Sequence, residues 1–374
     1  MPAGVRLGAF YFAFFLYAGL MLAYLPAYLA ARGLGAAQIA AVLALPQVVR
    51  IFAPALWGWL ADRTARQRMI VAFGCAANAL CFVLVPHATG LGGIAALVAA
   101  ASLISAAALP LVEAITLGVL AGQSGRYGPI RVWGSIGFIA AVLAGGAWLD
   151  RHSALTLPPA LVLVGVASLA SALALPRAAV HPASAGFSFA LPAPARALLA
   201  CGFCMAVAHG TLYAFFTLHL QRVGYSTSLI GLLWTLGVLA EIVVFVGLPA
   251  IFRRARLSVI LISSCFLGGV RFLLIGRAAE WAWLLAVVQL LHAATFGAFH
   301  AASVAAIHRL FPAAAQARGQ TLFSSIAYGA GGAVGALSAG WTWELAGPGA
   351  AFSLSAFAAL AGVLLAYSLK RAGL

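Results

Sequence analysis

The stretch Ile39-Ala-Ala-Val-Leu-Ala-Leu-Pro-Gln-Val-Val-Arg50-Ile-Phe-Ala-Pro-Ala-Leu-Trp-Gly58-Trp-Leu60 runs straight into Ala61-Asp62-Arg63-Thr-Ala-Arg66-Gln-Arg68, and a second apolar run, Met69–Ala88, follows. Each run has about the 20 residues a helix needs to cross a hydrocarbon core. The short basic turn between them holds one end of both helices at a membrane surface. The pattern repeats along the chain. Apolar runs fall at Leu7–Leu29, Ile39–Leu60, Met69–Ala88, Ile94–Leu120, Val132–Leu149, Ala160–Leu175, Ala197–Leu220, Ile230–Phe252, Val259–Gly276, Trp281–Ile307, Thr321–Trp343 and Ala350–Leu369. The runs lack the polar stripe of a soluble amphipathic helix and the ten-residue alternation of a membrane barrel strand. The expected fold is an all-α polytopic membrane protein of 12 transmembrane helices in two six-helix bundles.

Composition agrees. Of 374 residues, 65% are hydrophobic and 7% are charged, against about 25% charged in a soluble domain. That excludes a cytosolic enzyme, a disordered chain and a disulfide-stapled secreted domain. The net charge of +15 could suggest a nucleic-acid partner, but its distribution speaks for topology. With the N-terminus in the cytoplasm, 15 of the 21 basic residues fall in cytoplasmic segments and four outside. Two, Arg50 and Arg271, fall within spans. Positive loops inside and an even number of spans place both termini in the cytoplasm. An Arg-rich, Lys-poor composition points to a bacterial inner membrane. The first run is too long for a secretory h-region and reads as a retained span. The five cysteines lie within spans; Cys201-Gly-Phe-Cys204 has redox-motif spacing but no βαβ context, and reads as packing.

The chain repeats. Gly33 to Ile39 corresponds to Gly224 to Ile230, Asp62-Arg63 to Arg253-Arg254, and Gly134-Ser135-Ile136 to Ser324-Ser325-Ile326, at offsets of 190 or 191 residues. The expected organisation is a first bundle over 1–176, a cytoplasmic linker over 177–196 and a second bundle over 197–374. A parallel repeat of this kind fits transporters that rock two halves about a midplane site.

Gly58 to Arg68 resembles the signature loop of the major facilitator superfamily: a glycine, an Asp-basic pair, then further basic residues. Ala65 stands where that pattern has its second glycine. The resemblance implies a gating role for Gly58, Asp62 and Arg63. A narrower likeness, to the phenylpropionate permease family, rests on Tyr127 to Ser135, Leu233 to Glu241, Val270-Arg271 and Gln289 to His300. More distantly, Glu113 with Arg131 resembles the sugar-binding pair of lactose permease, and His292 falls where it has a histidine. Thr295 and Gln289 stand where that protein has Glu and Lys. These likenesses imply a proton-coupled transporter, with spans one, four, seven and ten lining a central path.

The buried charges carry the functional reading. A charge at mid-span costs about 2.5–3.5 kcal/mol on insertion scales, yet Arg50, Glu113, Glu241 and Arg271 are kept there. They form static ion pairs, or they are carriers, because a Glu can become neutral by taking a proton. Glu241 and Arg271, on consecutive spans, are the expected pair, and Glu241, Glu113, Arg271 and His292 are the expected proton-coupling groups. Ser102, Ser105, Leu109, Glu113 and Thr116 share helical spacing. So do His292, Phe296 and His300; His209 and Tyr213; and Tyr17, Met21, Tyr24 and Tyr28. Aromatic stripes of this kind either pack helices or line a path for a ring-bearing solute. The candidate solute contacts are Glu113, Arg131, His209, Tyr213, His292, Phe296, His300 and Tyr24. Arg131 is either a positive-inside anchor or a carboxylate contact.

There is no His-Glu-x-x-His, Gly-x-Ser-x-Gly or phosphate-loop motif. The expectation is a non-enzyme, without metal or cofactor, driven by the proton gradient and acting as a monomer on a small molecule. The solute class is a small amphipathic acid such as 3-phenylpropionate. The alternatives are a proton symporter of a sugar or nucleoside, and a membrane receptor or scaffold.

Overall fold

A computed structural model describes residues 2–120, 126–176, 191–312 and 315–374. Among these residues the chain is helical and has no strand. The helices are α1 (Ala3–Ala31), α2 (Ala36–Thr64), α3 (Gln67–Leu84), α4 (Gly90–Ser105), α5 (Ala108–Leu120), α6 (Tyr127–Leu149), α7 (Leu157–Leu173), α8 (Ala193–Val223), α9 (Thr227–Arg254), α10 (Leu257–Arg277), α11 (Ala282–Leu290), α12 (Phe299–Leu310), α13 (Gln316–Phe323) and α14 (Gly332–Arg371). Stretches of π-helix, Ala293–Ala298 and Ser324–Gly331, join α11 to α12 and α13 to α14.

Eleven helical stretches are long and apolar enough to cross a membrane. The last, Gln316–Arg371, has 56 residues. At about 1.5 Å per residue it is roughly twice the length one crossing needs. It breaks at Gly347, whose φ of 81° and ψ of 178° are non-helical. That length is compatible with two crossings here and with twelve in all. Large apolar side chains point away from the protein: Leu163 is 73% exposed, Val246 79% and Leu364 76%. In water such faces would be unstable; in lipid they are solvated.

The described residues fall into two compact units. One draws on Met1–Leu34, Phe52–Ser184 and Ser226–Gly231, the other on Gly35–Ile51, Ala185–Tyr225 and Leu232–Leu374. In the first, α1 packs along α6 and α7, and α3 packs along α7 and α4. Leu7, Phe10, Tyr11, Val71, Val112 and Ile115 fill its core. In the second, α14 packs along α8 and α10, around Leu198, Leu261, Phe299, Ile307 and Phe323. Small residues set these contacts. A Cβ at Gly137 would stand 2.2 Å from the Phe12 carbonyl oxygen, and one at Gly335 2.6 Å from that of Val207. Of the expected linker, 177–190 lies outside the described residues, and Ala193 to Arg196 form the first turn of α8.

The fourth and tenth spans are not single helices. The fourth breaks between Ser105 and Ala108, so the expected stripe from Ser102 to Thr116 is split. Ser102 and Ser105 turn to the Val98 and Ser102 carbonyls of their own turns. Leu109, Glu113 and Thr116 belong to the second piece.

The turn after α2 explains a departure noted in the sequence. Ala65 has φ 53°, the one positive φ among the described non-glycine residues. A left-handed residue just past a helix end is where glycine is favoured, because a Cβ crowds the following carbonyl. Ala65→Gly should therefore raise thermal stability, by up to about 1 kcal/mol. A lowered melting temperature in detergent would refute this account of the turn.

Candidate functional site

Arg271 sits midway along α10 and is 1% exposed. Its Nη2 donates to Gln289 Oε1 at 2.8 Å, and its Nη1 to Thr295 Oγ1 at 3.0 Å and His292 Nδ1 at 3.1 Å. An arginine has only donors, so His292 Nδ1 must accept. In the neutral ring the proton then lies on Nε2, an assignment made from the hydrogen-bond network. That Nε2 faces Glu241 Oε2 at 3.6 Å. Between the expected partners Glu241 and Arg271 stands His292, and the contacts run as a chain, Arg271–His292–Glu241. The histidine lies against both charges. Gln289 in turn donates from Nε2 to the Leu233 carbonyl, tying α11 to α9.

The backbone makes room for this chain. A π-turn holds more residues per turn than an α-helix and commonly marks a functional site. Here Ala293–Ala298 is rich in small residues. A Cβ at Gly297 would stand 3.1 Å from Glu241 Cγ, and one at Gly237 would stand 3.4 Å from His292 Cβ. The rings of His292 and Phe296 stack at 5.2 Å, and those of Phe296 and His300 at 6.3 Å. His300 Nδ1 and the Tyr328 hydroxyl share a 2.7 Å hydrogen bond. From α8, His209 adds ring contacts to Tyr213, Phe272, His292 and Phe296. His209 Nδ1 meets the Met205 carbonyl at 2.9 Å, while its buried Nε2 has no hydrogen bond among the described residues. Five of the expected solute contacts, His209, Tyr213, His292, Phe296 and His300, therefore come together in one unit.

Glu113 and Arg131 belong to the other unit. The Tyr127 hydroxyl donates to Glu113 Oε1 at 3.4 Å. The Arg131 guanidinium lies over the Phe15 ring at 4.2 Å and over the Tyr11 ring at 5.5 Å. Gly134 leaves space for that side chain: a Cβ there would be 2.6 Å from Arg131 Nη1. Tyr11 is fully buried and shares a 3.3 Å hydrogen bond with Thr116. Glu113 and Arg131 act on each other through space, with aromatic rings against the guanidinium.

Tyr24 is a correction. It is fully buried, and its hydroxyl donates to the Val142 carbonyl, so it packs α1 on α6 and offers nothing to a solute. In the expected gate, Asp62 is exposed, with no hydrogen bond or ion pair among the described residues; Arg63 lies 5.3 Å over the Trp59 ring, and Gly58 has open space beside it. Cys201 lies 3.7 Å from Cys265, and the cysteines are free.

Long lipid-facing helices around a buried arginine with three side-chain acceptors describe a multi-pass membrane protein, and the match to a family model makes it a transporter of the major facilitator type rather than an enzyme. The chain belongs to the MFS_1 like family, whose model matches residues 5–354. It is 32% identical over 252 residues to the probable 3-phenylpropionic acid transporter of Escherichia coli (strain K12), spanning 64% of each chain. It is 27% identical over 369 residues to the maltose permease of Geobacillus stearothermophilus, covering 95% of this chain and 92% of that one. Its fold matches a mutant of the nucleoside transporter NupG with a TM-score of 0.86 over 99% of both chains, at 18% identity.

The ligation of Arg271 has a measurable consequence. Gln289→Leu removes one acceptor and leaves a buried donor unmatched, which costs about 1–3 kcal/mol. We expect a clear fall in melting temperature. Gln289→Glu should fall less, because it keeps an acceptor in place. Equal melting of both variants with the parent would show that Gln289 does not hold the guanidinium.

Proposed function

We propose that the protein takes up a small amphipathic aromatic carboxylate, such as 3-phenylpropionate, together with protons across the bacterial inner membrane, by alternating access and with both termini cytoplasmic. The observation that carries this reading is the Arg271–His292–Glu241 chain beside the Phe296 ring stack. A glutamate loses its charge on taking a proton, while an arginine keeps its own. With Glu241 ionised, the His292 N–H faces an anion. A proton on Glu241 removes that attraction and weakens the hold of α9 on the π-turn. A group whose proton decides a contact between two helices is what coupling requires. The rings of His209, Phe296 and His300 supply an apolar wall for an aromatic body. Asp62, with Gly58 and Arg63, is assigned to the cytoplasmic gate, and the likeness to the probable 3-phenylpropionic acid transporter favours this solute class.

A second reading, proton symport of a sugar or nucleoside, is favoured by the polar Glu113–Tyr127–Arg131 group and by the likeness to a maltose permease.

Reconstituted vesicles with an imposed pH gradient separate the two. Uptake of 3-phenylpropionate, but not maltose or uridine, is the expected result, and the reverse would establish the second reading. Glu241→Gln copies the protonated carboxyl at nearly constant volume. That variant should exchange labelled solute across the membrane at a rate near the parent's, yet fail to accumulate it. Accumulation at the parent level would remove Glu241 as the carrier.

A further inference from the structure

Two arginines lie at mid-span, and they are treated in opposite ways. Arg271 is sealed and has three acceptors. Arg50 retains accessible surface, and among the described residues no acceptor takes a hydrogen bond from it. The direction of its side chain follows from its neighbours. Gln47 and Ile51, on the same helix, abut Gly332 and Gly329, and Ser325 Oγ donates to the Ile51 carbonyl at 3.0 Å. This clamp from the second π-turn, which also carries Tyr328, puts Arg50 in the field of the Tyr328 and Tyr213 hydroxyls rather than toward lipid. Both tyrosines also lie in the field of Glu241.

A guanidinium with open donors, held in a low-dielectric span, demands an acceptor. We propose that Arg50 is the anchor for an anionic group of the transported solute, its planar fork taking a carboxylate side by side. The tyrosines next to Arg50 lead through His300 into the Phe296 stack, so the ring of the solute lies along that wall. The anchor also gives a reason for coupling. Arg50 and Glu241 occupy equivalent repeat positions and carry opposite charge, and both lie in the field of Tyr213 and Tyr328. A bound carboxylate brings its own negative charge, so Glu241 can accept a proton with the total charge of the group unchanged. This inference rests on the proposed solute class and is separable from it.

The test is titration of purified protein with 3-phenylpropionate, its neutral amide 3-phenylpropanamide, maltose and uridine. The parent should prefer the acid over the amide by about tenfold or more. Arg50→Gln should lose that preference and bind acid and amide alike, while Arg50→Lys keeps part of it. Melting curves of the variants confirm folding. Unchanged preference for the acid in Arg50→Gln would overturn the anchor and leave the transport reading standing. A parent that binds no acid would overturn both.

A second observation stands independently. Gly146-Ala-Trp-Leu-Asp150 ends α6, and Gly340-Trp-Thr-Trp-Glu344 recurs in α14, 194 residues later. In both, the glycine lets a helix start approach and the acid caps it. A Cβ at Gly146 would be 2.6 Å from the Thr227 carbonyl oxygen, and one at Gly340 would be 2.2 Å from Ala40 Cβ. Asp150 accepts from the Thr227 and Ser228 N–H groups at 2.5 and 2.9 Å. Glu344 accepts from the Ala37 N–H at 3.0 Å. The capped starts, of α9 and α2, are themselves repeat-related (Ala37 with Ser228), and each contact lies within one compact unit. A carboxylate there meets both unpaired amides and the positive helix end. We infer that these twin glycine–acid seats are latches that set how readily the first turns of α2 and α9 leave the acids that cap them during transport.

The Asp150 latch is not a proton carrier. Burial pushes the Asp150 carboxyl up, but hydrogen bonds from Ser228 and Thr227 outweigh it and hold the group below the usual carboxylate range. The titratable group facing it from α1 is Tyr24; Arg151 and His152 follow it in the chain. A depressed folded value means the latch is fully present above about pH 4 and is lost only as pH falls through that value. Asp150→Asn with Glu344→Gln should speed deuterium uptake at 36–40 and 227–231 and change the exchange rate of solute by about fivefold or more, with solute affinity within twofold of the parent. Unchanged solute exchange, or affinity lost in step with rate, would overturn the latch.

Discussion

A guanidinium placed in hydrocarbon must be given oxygen or nitrogen acceptors by the protein itself, and in this chain that requirement organises the second unit. Arg271 takes Gln289, His292 and Thr295, three residues spread over seven positions. A regular α-helix would not turn all three toward one point. The backbone answers by widening into a π-turn at Ala293–Ala298. That widening brings Gly297 under Glu241 and aligns His292, Phe296 and His300 as a ring stack. The place of Glu241 and the aromatic stack both follow from the packing around one buried charge.

The same logic explains why neutral residues surround Arg271. A carboxylate at position 295 or a lysine at 289 would add a second charge to be desolvated. Glutamine and threonine satisfy the donors without one. The acid beside this fixed centre is Glu241, which meets the cluster at His292. A network with one titratable edge and a fixed centre has fewer charge states than a cluster of several acids and bases.

Much of this was legible in the sequence, for a physical reason. A lipid solvent forces apolar runs of fixed length, and a charge retained inside such a run stands out; Glu241, Arg271, His292 and His300 are readable in this way. What was not legible depends on contact geometry. Sequence spacing puts Glu241 and Arg271 on consecutive spans but does not reveal that His292 comes between them. Tyr24 was misread because an aromatic residue at helical spacing looks the same whether it lines a path or seals a helix contact. The break at Ala106 and Ala107 left no glycine or proline signal at those positions. Arg50 was noticed as a charge, but its importance lies in acceptors that it lacks, and a missing partner has no sequence signature.

The repeat ties these features together. A duplicated six-helix unit begins with the same groups in both copies, so differences between copies record where function has been added. The twin seats at Asp150 and Glu344 have stayed alike, as parts that bear the same mechanical load would. Positions 50 and 241 have diverged to opposite charge. Two like charges there would repel in a medium of low dielectric, and two neutral residues would couple nothing. An arginine that keeps its charge and a glutamate that can lose its own form the smallest pair able to exchange a solute anion for a protein anion. In the proposed mechanism this asymmetry, placed on a symmetric scaffold, is what makes binding and protonation depend on each other.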